Sequence, residues 1–188
     1  MQEKEQTYYR ALYEAARVIN SSLEPSKVLN TIAKQTASAM GVKACTLRLL
    51  DRQGEYLLPG ASHGLSQAYL RKGKVALSGS KLDKVALSGE PVYIQCAATD
   101  PRFQYPEAAK AEGIVSLLVV PLMLEEKKAI GVMRVYSDVE RVFSADETEF
   151  LTIMANLSAI ALENARLHQT LKSDCELSAA YQFQTFED

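Results

Sequence analysis

The sequence predicts an α+β domain with antiparallel hairpins set between terminal helices. Three observations carry this: amphipathic helical periods open the chain, two strand-turn-strand patterns occupy its interior, and one long helical period closes it. Taken in order, Tyr9, Leu12, Ala16, Ile19 and Leu23 alternate steps of three and four residues, a heptad seam that predicts a helix from Glu3 to Leu23. Pro25 suits a first helical turn, and Val28, Leu29, Ile32, Ala33, Ala37 and Met40 give a second helix its apolar face before Gly41 stops it. Val42 to Leu50 reads as a strand, Asp51-Arg52-Gln53-Gly54 as a turn, and Glu55 to Ala61 as the returning strand.

From Ser62 to Gly113 glycines and Pro91, Pro101 and Pro106 break the chain into small helices and short strands. Lys74-Val75-Ala76-Leu77-Ser78-Gly79 recurs as Lys84-Val85-Ala86-Leu87-Ser88-Gly89. The copies are expected to fold differently, because Ser80 and Asp83 form a capping-box pattern that starts a helix through the second copy, while the first is extended. Ile114 to Leu124 is an almost wholly apolar strand. Glu125-Glu126-Lys127-Lys128 is a charged turn, and Ala129 to Tyr136 resumes the strand pattern. Ser144 and Glu147 make another capping box, from which a helix runs to about Leu171. Residues 173–188 show no clear period and are expected to be a loose tail. The expected division is a dimerisation helix over 1–24, the domain with its long helix over 25–172, and the tail.

Composition limits the function classes. The 21 Lys+Arg against 23 Asp+Glu give a formal charge of -2, without the basic excess that nucleic-acid binding requires. The polar start Met1 to Gln6 lacks the apolar stretch of a signal peptide, and the longest apolar run is too short to span a bilayer. Cys45, Cys96 and Cys175 are odd in number and far apart, suiting neither a disulfide framework nor a zinc site. A cytoplasmic protein with no metal, cofactor, membrane or nucleic-acid partner is expected.

Particular residues resemble the GAF domain family. Glu112-Gly113-Ile114-Val115-Ser116-Leu117-Leu118-Val119-Val120-Pro121-Leu122 is similar to its glycine, strand and Val-Pro-Leu signature. Ile130-Gly131-Val132-Met133-Arg134-Val135-Tyr136, Phe143 to Glu147, and Ala159 to Leu167 follow in the family's order. The resemblance covers roughly Leu12 to Leu171. It implies a six-stranded antiparallel sheet, with the terminal helices on one face and the irregular middle segment closing a small-molecule pocket on the other. Fold does not fix function, so each branch needs its own residues. A bilin photoreceptor requires Cys followed by His, whereas Cys96 precedes Ala97; the Asn-Lys-x-x-x-Phe stretch of the cyclic-nucleotide type is replaced by Asp138-Val139-Glu140-Arg141-Val142-Phe143.

The remaining polar residues have bland readings. Cys45 reads as a packing residue, Cys96 as a surface thiol without a resolving partner, and His63 and His168 as a turn and a helix-end residue. Arg71, Lys72, Lys74, Lys81 and Lys84 read as a solvated face or an anion-binding rim. Arg48 and Arg134 differ, since each interrupts an apolar strand and a buried guanidinium needs a partner. That partner is either an internal acid, Glu112 or Asp100, or a small polar or anionic ligand. The ligand would lie between the two arginines and a middle segment bearing Tyr69, Tyr93, Asp100, Arg102 and Tyr105, with Tyr136 beside Arg134.

The long helix has more apolar surface than one sheet face covers. Phe150, Ile153, Leu157, Ile160, Asn164, Leu167 and Leu171 form a second heptad seam, which with the N-terminal one predicts a homodimer. The expected function is a non-catalytic sensor that signals through paired helices to an output partner. The alternatives are a thiol-based free methionine sulfoxide reductase or a ligand-free dimerisation scaffold.

Overall fold

The computed structural model describes residues 2–125 and 128–184. Helices α1 (Gln2–Ser21) and α2 (Pro25–Met40) follow the predicted periods. Gly41 ends α2 in the left-handed conformation, φ 59°, and the Val42 N–H reaches back to the Ala37 carbonyl at 3.1 Å, closing the end as a Schellman motif. Strands β1 (Ala44–Leu50) and β2 (Tyr56–His63) form the expected hairpin, whose turn is fixed by the Asp51 carboxylate accepting from the N–H groups of Glu55 and Tyr56.

The middle segment holds α3 (Gln67–Leu70), β3 (Val75–Ala76), a 3-10 turn over Leu77–Gly79, α4 (Lys81–Leu87), β4 (Val92–Ile94) and α5 (Pro106–Glu112). The repeated hexapeptide takes two structures, as its flanks predict: extended and then 3-10 in the first copy, helical in the second. Ser80 is the N-cap of α4, its Oγ accepting from the Asp83 N–H. Strands β5 (Ser116–Glu125) and β6 (Lys128–Ser137) form the central hairpin; residues 126 and 127 of its charged turn lie outside the described ones. Helix α6 (Ala145–Gln184) starts at a full capping box, with Glu147 Oε2 accepting from the Ser144 N–H at 2.9 Å and Ser144 Oγ from the Glu147 N–H at 3.2 Å.

One expectation is corrected here. The helix continues to Gln184 where a loose tail was expected from Ser173, because no Gly or Pro interrupts that stretch and its Leu, Glu, Ala and Gln residues favour helix. Residues 185–188 lie outside the described ones.

All six strands pair antiparallel in the order β3-β2-β1-β6-β5-β4. The period of two along each strand separates two apolar cores. Leu47, Leu118, Val120, Met133 and Val135 pack beneath α1, α2 and α6, while Leu117, Val119, Val132 and Tyr136 pack beneath the middle segment. The terminal helices thus cover one face and the small elements cap the other. Gly131 lets β6 lie close to β1 at the centre, since a Cβ there would come within 2.2 Å of the Arg48 carbonyl oxygen. Among the described residues no helix is long and apolar enough to cross a membrane.

Candidate functional site

On the capped face β1 contributes Thr46 and Arg48, and β6 contributes Arg134 and Tyr136. Thr46 lies directly opposite Arg134 in the register and Arg48 opposite Val132, so the two arginines are diagonal neighbours. Both are buried, 5% and 6% exposed. Arg134 forms an ion pair with Asp83, whose side chain is wholly buried and also accepts from Ser80 Oγ at 2.6 Å. Burial works against the Arg134 charge, yet Asp83 and Tyr136 outweigh it and hold the guanidinium firmly protonated. The Tyr136 hydroxyl lies 3.2 Å from Thr46 Oγ1, and its ring meets Tyr69 edge-on.

Arg48 has no such acid. Its guanidinium donates to the carbonyl oxygens of Gly73 at 2.7 Å and Leu57 at 3.4 Å, and among the described residues no carboxylate forms an ion pair with it. Burial first, then the Arg134 charge, push its pKa below the ordinary guanidinium value. Lys72 completes a cationic cluster: its ammonium lies 3.0 Å from the Tyr69 ring centroid and 4.9 Å from that of Tyr105. Burial, followed by Arg48 and Arg134, lowers the Lys72 pKa to about 7. Three cations therefore share this face with one deeply buried acid.

The other predicted ligand residues are placed differently. Asp100 pairs with Arg102 at 2.6 Å on the surface, and Arg102 also donates to the Tyr93 carbonyl oxygen. Glu112 accepts from the Ser66 N–H and hydroxyl. Neither acid that the sequence offered partners Arg134. Asp83 takes that place because the first turn of α4 sits directly over β6; read as a local cap, its carboxylate gave no sign of a second duty. Tyr93 lies on the opposite face, packed edge-on against Phe143 with its hydroxyl donating to the Arg141 carbonyl oxygen at 2.6 Å. Lys72, one of the basic residues between Arg71 and Lys84, belongs to the cluster with Tyr69 and Arg48. The space between Arg134 and the Phe103–Tyr105 loop is a cavity of about 10 Å³, and a groove of about 190 Å³ beside Asn30, Thr46, Arg48 and Ser62 opens at the β2 edge.

A family model described as GAF domain matches residues 22–163, most of the chain. The chain belongs to the GAF domain family. It is 25% identical over 168 residues to the Nif-specific regulatory protein of Herbaspirillum seropedicae, covering 87% of this chain but only 30% of that regulator. Among solved structures, the GAF domain from an Acinetobacter phosphoenolpyruvate-protein phosphotransferase superposes with a TM-score of 0.72 at 28% identity, covering 89% of this chain and 96% of that one. The free methionine-R-sulfoxide reductase from Neisseria meningitidis shares the fold at 18% identity, with a TM-score of 0.70 over 86% of this chain and 91% of the reductase.

The two thiols among the described side chains of this GAF domain do not converge. Cys45 is wholly buried on β1 beneath the terminal helices, and burial pushes its thiol up. Cys96 follows β4, three strands away in the sheet order, a separation of about 14 Å at the usual strand spacing. The Thr99 hydroxyl, with the backbone N–H groups of Ala98 and Thr99, lowers the Cys96 pKa. The Cys175 side chain lies outside the described ones. Among the described residues no group of three or more His, Cys, Asp or Glu is arranged to hold a metal ion.

On the helical face, Glu147 is a junction. It accepts from Lys4 Nζ at 2.8 Å and from Arg141, which also donates to the Met40 carbonyl oxygen, so the starts of α1 and α6 meet the end of α2. Burial alone would raise the Glu147 pKa, but Lys4, the Ser144 N–H and Arg141 hold it below the usual carboxylate value. Of the predicted seams, Phe150 is buried within the domain, stacked on Tyr8 at 4.1 Å, and is not available to a second chain as was expected. Leu12, Ile19 and Leu157 are half-buried against the same core, and Ala16 is half-buried. Tyr9, Ile153, Ile160, Asn164, Leu167 and Leu171 are exposed, and from Ile153 onward they keep the heptad spacing.

Proposed function

We propose that this GAF domain is a non-catalytic regulatory module that binds a small polar or anionic ligand beneath its cap and passes the bound state to paired terminal helices. The observation that carries the ligand half is Arg48, a buried guanidinium that among the described residues donates to carbonyl oxygens and forms no ion pair, with Lys72 close enough for the two charges to disfavour one another. An anion placed there would supply the missing charge, while Arg134, already neutralised by Asp83, would contribute little to charge recognition. A metabolite could reach Arg48 from the groove of about 190 Å³ that this residue lines, whereas reaching Arg134 requires the cap to move, because the cavity there is far smaller than a metabolite.

The helical half rests on the exposed residues Ile153, Ile160, Asn164, Leu167 and Leu171, which line one side of α6 while Met154, Ala155, Ala159 and Ala161 of the same helix pack into the domain. A parallel pair would bring Asn164 against its copy, where two carboxamides satisfy one another and fix register. The regulatory character of the relative in Herbaspirillum agrees with such a role, and an output partner acting through α6 follows from the same reading.

The test is a thermal-shift screen of nucleotides, amino acids and dicarboxylates on the wild type, Arg48→Met and Lys72→Gln. Stabilisation by one compound class, lost in folded Arg48→Met, is expected. A second reading, a dimerisation scaffold with a degenerate pocket, is favoured by the Arg134–Asp83 pair and the 10 Å³ cavity, and it predicts no stabilisation by any compound. The separation of Cys45 from Cys96 speaks against thiol-based reduction, which needs an attacking and a resolving cysteine in reach of each other.

A further inference from the structure

We infer that the cavity between Arg134 and Gln104 is a subsite for one hydroxyl-sized group, which accepts a hydrogen bond from Arg134 Nε and donates one to Gln104 Oε1. Arg134 and Gln104 both line the same space of about 10 Å³, and Arg134 Nε and Gln104 Oε1 are both buried without a hydrogen-bond partner among the described residues. Arg134 is 6% exposed and is fastened through Nη2 to Asp83, which leaves Nε–H free. The volume suits about one water molecule. One donor and one acceptor facing a common space are complementary to a group that carries both functions, a water molecule or an alcohol. A carboxylate oxygen is a poor fit, since it has nothing to donate to Gln104 and would sit near the Asp83 charge.

The subsite deepens the ligand proposed above and rests on that reading for its second half only. Charge recognition falls to Arg48 and Lys72, whereas the diagonal neighbour Arg134 recognises a hydroxyl. A small hydroxy acid combines the two groups. In the resting protein the bridging group is water, joining β6 to the loop that carries Gln104.

The first arm of the test uses the protein alone. Gln104→Leu removes the acceptor, and Arg134→Lys keeps a cation for Asp83 while losing the Nε–H. Each is expected to lower Tm by about 2–4 °C, and the double variant no further than the worse single, because either change alone breaks the bridge. Strictly additive losses overturn the subsite. Should Arg134→Lys fail to fold, a high-resolution crystal structure decides: a solvent peak within hydrogen-bonding distance of both atoms, absent from Gln104→Leu, is expected, and no peak in the wild type overturns the inference. The second arm compares glycolate with acetate and lactate with propionate by thermal shift. Greater stabilisation by each hydroxy acid, with the excess lost in Gln104→Leu, assigns the subsite to the ligand's hydroxyl. Equal stabilisation within each pair, abolished by Arg48→Met, overturns that assignment and leaves the anion reading standing. No stabilisation by any of the four, with the solvent peak present, supports the subsite as water's alone and counts against the ligand reading instead.

Discussion

Asp83, in the first turn of α4, forms a buried ion pair with Arg134 at the centre of β6. One carboxylate thus secures the cap to the sheet and completes its own helix start through Ser80. Asp83→Ala would leave Arg134 charged and without an acid, at a cost of about 3–5 kcal/mol. Denaturant unfolding should show this loss, whereas Asp100→Ala, which breaks only a surface pair, should change stability by less than about 1 kcal/mol.

Lys72 gives the cap a pH dependence whose sign follows from its lowered pKa. Between about pH 7 and the ordinary lysine value of 10.5 the unfolded chain binds a proton that the folded one has released, so Lys72 makes stability rise with pH over this window. The burial of Lys72 and its proximity to Arg48 and Arg134 are the causes. The stability difference between the wild type and Lys72→Met should therefore shift in favour of the wild type from pH 7 to pH 10, measured by urea unfolding. A difference independent of pH would contradict the assignment.

Phe150 and Ile160 lie on one helix but are expected to report on different processes. Phe150→Ala removes a buried ring stacked on Tyr8 and should cost about 3–5 kcal/mol in the stability of the domain. Ile160→Glu with Leu167→Glu touches only exposed positions and should leave the fold intact while turning a dimer into a monomer by light scattering at micromolar concentration. A wild type that is monomeric at that concentration would contradict the paired-helix proposal.

The two described cysteines should separate cleanly under alkylation. Cys96, whose thiol pKa is lowered, reacts in the native protein; Cys45 reacts only on unfolding, because burial raises its pKa and excludes reagent. Cys45→Ser should cost about 1–3 kcal/mol and Cys96→Ser almost nothing. Methionine sulfoxide reductase activity that disappears in Cys45→Ser or Cys96→Ser would revive the enzymatic alternative.

Much of the fold was legible in the sequence because its signals are local. The Ser80 and Ser144 caps, the Gly41 stop, and the alternation along Ala129 to Tyr136 each depend on a few neighbouring residues and hold in the structure. Contacts across the sheet were not legible. That Arg134 needed a partner, an acid or a ligand, could be read from its strand; that the partner would be Asp83 depends on where α4 lands. Tyr93 was misplaced for a related reason: on a three-residue strand the period of two does not decide which face a tyrosine takes until the strand is paired, and its partner Leu118 belongs to the helical core. The heptad in α6 likewise says which residues align, not which chain they meet, so Phe150 falls to the intramolecular core while Ile160 remains exposed.

Native mass spectrometry of freshly purified protein tests the central claim most directly, because one spectrum reports both the pairing and the ligand. A dimer that carries one additional small mass per protomer, released on denaturation and missing from a folded Arg48→Met dimer, is the expected result. A monomer, or a dimer of bare chains identical in mass increment to Arg48→Met, would contradict it.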